Sequence, residues 1–474
     1  MKTLIALGAA ACALCAVQGA QAELPRAATA TAAPSGWFEA LPHGGDLGEL
    51  AGWWSRFDDP LLVQLVERAQ AASPDLASAL SRIAQARATA VGAGAALLPN
   101  VEAGVSGARG RSEPGFPVGN TLSASMQMAW ELDLFGGNRA GARAAAARLS
   151  SATAGWHEAR VAVAAEVATQ YVSLRACEAR RIQAEVDAGS RAETDRLTQL
   201  SLQHGMQSPG TAALARASAA QGRAQLAQAA AECDTLVKRL VALTAAEEPA
   251  LRAELAASGA SVPQAPRFGI DAVPARALAQ RPDLHAAALN VQAAAGDADQ
   301  ARASRWPRVM LKGSVGRGRA ETPFGTQDGS VWSFGPLSVV LPVFDAGVRR
   351  ANLDAARSRY DEAVAQYGGR LRTAVREVEE ALVTLQAATR RSDDLRVAAE
   401  GFRTSFASAQ ARYRGGLASL FELEEARRSD VQAQVAMVDL EQQRTQAWIQ
   451  LYRALGGGWG SPAPTTTISK ESTP

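Results

Sequence analysis

The sequence has almost no lysine: Lys2, Lys238, Lys312 and Lys470 are the whole set, so nearly all positive charge is arginine. With 49 Lys+Arg against 47 Asp+Glu, the net charge of +2 makes no case for a nucleic-acid partner. Histidine is scarce and scattered (His43, His157, His204, His285), which leaves no His-rich metal cluster; these read as surface or packing residues. Walker, GxSxG and HExxH motifs are absent, and the one CxxC, Cys12 to Cys15, lies in a leader-like segment. No enzyme chemistry and no cofactor are expected. Aromatics are only 5% and alanine is abundant, which suits helices packed at close range better than a thick core. After the leader, no stretch approaches the ~18 consecutive apolar residues of a membrane helix. A chain soluble beyond the inner membrane, or one crossing an outer membrane by β-strands, remains.

Residues 1–22 read as a secretory signal: Lys2, an apolar run from Leu4 to Val17, then Ala20-Gln21-Ala22, so the mature chain is expected to start at Glu23. The other reading is a buried N-terminal helix. Lipidation at Cys12 or Cys15 stays open but is not the expectation: Cys12 has a short hydrophobic run before it, and Cys15 follows Leu14, where a lipobox cysteine wants a small residue.

The chain repeats itself at an offset of about 210 residues. Ser73-Pro74-Asp75-Leu76 answers Arg281-Pro282-Asp283-Leu284, and Leu98-Pro99-Asn100-Val101 answers Trp306-Pro307-Arg308-Val309. Leu134-Phe135-Gly136-Gly137 answers Val343-Phe344-Asp345-Ala346-Gly347, and Gly205-Met206-Gln207-Ser208 answers Gly416-Leu417-Ala418-Ser419. The period is too long for a solenoid and indicates a duplicated half. The expected layout is an extension and first helix over 23–72, a first repeat over 73–248, a linker over 249–280, a second repeat over 281–458 and a disordered tail over 459–474. Each repeat is read as helix, two strands, a very long helix and a return helix.

In the first repeat the strands are expected at about 99–107 and 119–134, the long helix at 138–203 and the return helix at 210–245. In the second, the strands fall at about 307–316 and 330–344, the long helix at 347–413 and the return helix at 419–455. From Leu122 to Leu134 every even position is apolar, which is a strand period. Such a strand fits a soluble core or a barrel wall between lipid and water. Alternation is poorer in the second pair, where Pro336 and Pro342 interrupt it. Trp332 and Phe334 are placed at the start of the last strand, as in an interfacial aromatic girdle. Gly/Arg/Pro-rich loops are expected at 108–118 and 316–330.

The proline-free stretches near 138–203 and 347–414 predict helices of roughly 100 Å. Leu353, Tyr360, Tyr367, Ala374 and Ala381 form one seven-residue track, with Val364, Leu371, Val378 and Leu385 on another, as in a coiled coil. Each long helix reverses at a glycine turn. Cys177 and Cys233 straddle the first turn symmetrically, so a hairpin places them side by side, as a disulfide or as two separate buried thiols. Four strands cannot close a barrel, whose smallest membrane forms need about eight. A membrane-spanning sheet therefore requires two, three or four copies.

These features resemble the outer-membrane factors of tripartite efflux pumps, TolC-like proteins of the NodT-type subgroup. The resemblance covers about residues 50–458 and rests on Trp54-x-x-Phe57-x-Asp59-Pro60-x-Leu62, Arg281-Pro282-Asp283-Leu284 and Trp306-Pro307. It also rests on Phe334-Gly335-Pro336, Leu341-Pro342-Val343-Phe344-Asp345-x-Gly347, Ala411-Arg412-Tyr413-x-x-Gly416 and Leu451-Tyr452-x-Ala454-Leu455-Gly456-Gly457-Gly458-Trp459.

The resemblance implies a mostly α fold with a transmembrane β part: four strands per copy in a shared trimeric barrel of twelve, continued by a periplasmic α-helical barrel. It implies a passive outer-membrane conduit partnered by a periplasmic adaptor and a proton-driven inner-membrane transporter. The periplasmic end of such conduits opens by an iris-like movement of the helices after the second turn. Adaptor tips are expected on Gly205, Met206, Gln207, Ser208, Pro209 and Gly210 and on Gly415, Gly416, Leu417, Ala418 and Ser419.

Relatives often carry a cysteine lipid anchor, and often an acidic residue in the second turn where Ala418 stands. Glu422, Glu424 and Glu425 just beyond are either an aperture ring or a solvated helix face. A type I protein-secretion duct is the alternative within the class. A soluble periplasmic coiled-coil scaffold is the weaker one.

Overall fold

A computed structural model describes residues 53–111, 117–264 and 278–457. The leader, the extension to residue 52, the middle of the first loop, part of the linker and the tail lie outside the described residues.

A short 3-10 turn, Trp53–Phe57, precedes α1 (Pro60–Ala72). The first repeat follows as α2 (Pro74–Ala95), β1 (Asn100–Gly110), β2 (Gly119–Leu132), α3 (Gly137–Gln203) and α4 (Pro209–Thr244). After α5 (Glu248–Ala257), the second repeat runs as α6 (Pro282–Ala303), β3 (Arg308–Thr322), β4 (Gly325–Val340), α7 (Val348–Arg414) and α8 (Leu420–Ala454). The two long helices are both 67 residues, about 100 Å each. No helix among the described residues is long and apolar enough to cross a membrane.

Two expectations are corrected. The segment 316–330 is not a loop: β3 and β4 run through it and reverse at Pro323–Phe324. Its glycines belong to strands, and at Gly316 a Cβ would lie 2.6 Å from the carbonyl oxygen of Ala124 on β2. The span 249–280 is not plain linker either, because α5 occupies its start. Pro249 is the signal, since proline near a helix N-terminus gives up an N–H that has no partner there.

Both strand-to-helix junctions are capped alike. Asp133 accepts from the backbone N–H groups of Asn138 and Arg139 at 3.2 and 2.8 Å. Asp345 accepts from those of Gly347 and Arg349 at 3.0 and 3.2 Å. Each carboxylate sits at a helix N-terminus, where the dipole favours negative charge.

α3 packs against α2, α4, α6 and α8, and α7 against α6 and α8. The main core is a girdle midway along the long helices, where Val161–Cys177 of α3 and Val378–Leu385 of α7 meet α1, α4, α5 and the end of α8. Leu62, Leu65, Leu174, Leu240 and Leu251 are fully buried there. Each such side chain contributes about 1.5–3 kcal/mol.

The motifs around Asp59, Arg281 and Tyr452 help build this girdle. Asp59 caps α1 through the N–H groups of Leu61 and Leu62 and accepts from the Tyr171 hydroxyl at 2.7 Å. Trp53 stacks on Tyr452, ring centroids 5.5 Å apart. Arg281 forks onto Asp283 at 2.9 and 2.7 Å, reaches Glu377 at 2.9 Å and donates to the Ala454 carbonyl at 2.8 Å. Burial pushes the Asp283 carboxyl up, but the Arg281 guanidinium, helped by the Leu284 N–H and the charge of Arg370, brings the net shift downward.

Candidate functional site

The sheet and the helix turns lie at opposite ends of the long helices, and each carries a distinct surface.

The sheet is antiparallel in the order β1-β2-β3-β4. Residues paired directly across strands share a face. Val101 faces Met128, which faces Gly313, which faces Phe334; Met126 faces Val315, which faces Trp332. One face is therefore apolar across all four strands. The other carries Glu102, Ser106, Ser123, Gln127, Lys312, Ser314 and Ser333. Its hydroxyls pair across strands, Ser106 with Ser123 at 2.7 Å and Ser314 with Ser333 at 2.8 Å.

The apolar face is bare in the single chain: Val105 is 77% exposed, Trp332 76% and Phe334 77%. A contiguous apolar surface of this kind marks a contact with lipid or protein.

A bulge keeps the second hairpin on pattern. Leu311 faces Leu337 while Gly313 faces Phe334, so β4 takes three steps where β3 takes two. The apolar positions switch from Trp332 and Phe334 to Leu337 and Val339 without leaving the face. Pro336, which has no N–H to give the ladder, lies inside the bulge. Trp332 and Phe334 are not at the strand start, which is Gly325. On β3 and β4 they mark the outer margin of the apolar belt, beyond which Arg317 pairs with Asp328 and Arg319 with Glu321, each at 2.8 Å; on β1 and β2, Val105 and Leu122 carry the belt outward to the level of these arginines.

The two turns are built identically. Gly205 and Gly416 adopt left-handed φ of +74° and +72°. The Met206 N–H donates to the Ser201 carbonyl and the Leu417 N–H to the Arg412 carbonyl, both at 2.8 Å. Those bonds close the helix ends in the six-to-one pattern that favours glycine. Ser208 then caps α4 through the Thr211 N–H at 3.1 Å, with Pro209 in its first turn and Gly210 beside it. Ser419 caps α8 through the Glu422 N–H at 3.2 Å. Gln207 and Ala418 are half-buried, Gly415 is exposed, and Met206 and Leu417 protrude at 70% and 76% exposure.

The three glutamates separate. Glu422 is exposed and pairs with Arg412 at 3.2 Å; Glu425 is exposed and pairs with Arg428 at 3.0 Å. Glu424 turns inward, accepting from Ser218 at 2.8 Å and pairing with Arg427. It is not on a solvated face.

Sequence alone does not single out Arg427. It is 1% exposed, donates to Ser190 and Thr194 at 3.1 and 2.9 Å, and lies over the Phe406 ring at 5.6 Å. Asp187, buried beside it, accepts from Arg191 at 2.7 Å. The available signal is spacing: Leu420, Leu423 and Arg427 follow the i, i+3, i+7 track of a buried helix face. Farther from the turn, Cys177 and Cys233 are joined by a disulfide with Cα atoms 5.6 Å apart.

A bipolar sheet at one end and paired helical turns at the other fit a protein that meets a membrane and projects far from it. The model of the outer membrane efflux protein family matches residues 65–246 and 273–457. The chain belongs to that family. It is similar to the outer membrane protein OprJ of Pseudomonas aeruginosa, 32% identical over 86% of each chain. It is also similar to TtgI of Pseudomonas putida, the outer membrane protein of a toluene efflux pump. That identity is 29% over 85% of this chain and 86% of TtgI. The crystal structure of VceC from Vibrio cholerae superposes with a TM-score of 0.75 at 26% identity, covering 87% of this chain and all of that one. As in other outer membrane efflux proteins, the sheet is the outer-membrane part and the helical hairpins are periplasmic. The protein is an efflux conduit of the outer membrane.

Proposed function

We propose that three copies close one barrel of twelve strands, β4 of each pairing with β1 of the next, and that the hairpins prolong it as a periplasmic tube. The observation that carries this reading is the sheet itself, apolar on one face, polar on the other and open at both edges. In lipid, each unpaired backbone group at an open edge costs several kcal/mol, so an edge must meet another edge. Four strands are too few to close alone.

The tube is a passive duct for small molecules, a cargo size supported by the relative whose name gives toluene. A proton-driven inner-membrane transporter supplies the energy. A periplasmic adaptor docks on the two turns, Gly205–Gly210 and Gly415–Ser419, where Met206 and Leu417 offer apolar anchors. Glu422 and Glu425, but not Glu424, contribute charge to the aperture.

The test is mass in detergent together with conductance in a planar bilayer. A species of three chains with discrete conductance steps is expected. A monomer that passes no ions would sink the reading.

A further inference from the structure

Outward of Val315 and Trp332, the same face of the sheet changes character on β3, while Ala124 and Leu122 on β2 remain apolar. Arg109 on β1 faces Asn120, and Arg317 and Arg319 on β3 face Ala124 and Leu122. By register all three arginines share the face of Met126, Val315 and Trp332. At about 3.3 Å per residue, Arg317 stands about 7 Å and Arg319 about 13 Å outward of Val315. Their side chains are 77% and 59% exposed. They thus sit at headgroup height on the lipid side of the wall, not in the lumen.

The charge does not cancel. Asp328 and Glu321 pair with Arg317 and Arg319, but among the described residues Arg109 and Arg111 have no acidic partner. The sheet's lysine, Lys312, lies on the opposite face. Arginine offers a planar fork that matches phosphate oxygens two at a time, which lysine does not. A rim needed only for solvation does not require this face.

We infer that Arg109, Arg317 and Arg319 form a binding site for the phosphate groups of outer-leaflet lipids. The acyl chains lie on the belt around Val315 and Trp332, and the phosphates meet the guanidinium groups above it. The site rests on the reading that this face meets lipid.

Native mass spectrometry of the intact oligomer tests it, with lipid A, a bis-phosphorylated acylated disaccharide, as the probe. An arginine near an anionic surface contributes roughly fivefold in affinity. Wild-type protein should retain lipid A about tenfold or more over its dephosphorylated form. Combining Arg109→Gln, Arg317→Gln and Arg319→Gln should abolish that preference, whereas Lys312→Gln should leave it intact. Millimolar inorganic phosphate should not displace the lipid. Equal retention of both lipids by the wild type would reduce the contact to adsorption on the belt, and displacement by phosphate would make it a free-anion site; either overturns the inference. Quenching of Trp332 by brominated acyl chains separates the two levels. Without quenching the lipid-facing reading fails; with quenching but no preference, only the phosphate site fails.

Discussion

The two hairpins have the same length and the same turn, yet they are fastened by different chemistry. α3 and α4 are joined covalently through Cys177 and Cys233 and approach closely along small residues. At Gly222 a Cβ would lie 2.8 Å from Arg191 and 3.3 Å from the Ala188 backbone. α7 and α8 have no such staple; Arg403 donates to Gln434 at 2.7 Å, and Gln434 to the Ala399 carbonyl at 3.5 Å. Near the turns, the second hairpin is tied to the first by the buried Arg427 group and by the Thr198–Tyr413 hydroxyl pair at 2.9 Å. Duplication supplied two equal arms, and side-chain chemistry made one rigid in itself and the other dependent on its neighbour. The arms should therefore fail under different perturbations.

The largest expected effect breaks the tie between them. Arg427→Met removes one of the two cations beside Asp187 and Glu424, leaving Arg191 at 2.7 and 3.6 Å, so the cost should lie toward the lower end of the about 3–5 kcal/mol of a broken buried ion pair. Part of the pairing is already incomplete: Asp187 Oδ1 and Arg427 Nε lie 3.9 Å apart, and neither has a hydrogen-bond partner. Hydrogen exchange should accelerate around residues 405–430 while the Cys177–Cys233 neighbourhood keeps its protection. Unchanged exchange at the turn end of α7 and α8 would show that the second hairpin stands alone.

The next effect is confined to the first hairpin. The disulfide spans a sequence separation of 56 residues, and links of this kind stabilise by about 2–4 kcal/mol, mainly by restricting the unfolded chain. Combining Cys177→Ala with Cys233→Ala should lower the thermal midpoint and loosen α3 and α4, leaving exchange in α7 and α8 as before. Equal loosening of both hairpins would remove the distinction drawn between them.

Helices were the most legible elements, because 60-residue stretches free of proline and patterned in sevens admit few other structures. β2 was legible from strict alternation. β3 runs six residues past its expected end, and β4 both starts five residues before and ends four before its expected bounds, since Gly316, Gly318, Asp328 and Gly329 look like loop residues in isolation. Pairing with β2 and with each other overrides that local preference, and the bulge hides the alternation. The turns were visible as Gly-x-x-Ser in both halves. The buried group around Arg427 was not, because Glu424-Glu425-Ala426-Arg427-Arg428 reads as a solvated charged run. Which of two adjacent arginines turns inward is decided by Ser190, Thr194 and Asp187 on a helix more than 200 residues away in sequence.

The smallest effect on stability should have the largest effect on function, and it asks whether the two arms differ at their tips. Met206 and Leu417 are mostly exposed, so Met206→Glu and Leu417→Glu should each change stability by no more than about 0.5 kcal/mol. Each removes an apolar side chain that protrudes from a rigid glycine cap, and puts a charge where a docked partner must exclude water. If both turns serve as adaptor seats, each substitution should weaken adaptor binding at least about tenfold with the oligomer intact. A loss at Leu417 alone would assign docking to the arm that lacks the disulfide. Full affinity in both variants, measured against the same adaptor at equal salt, would remove the turns from the interface.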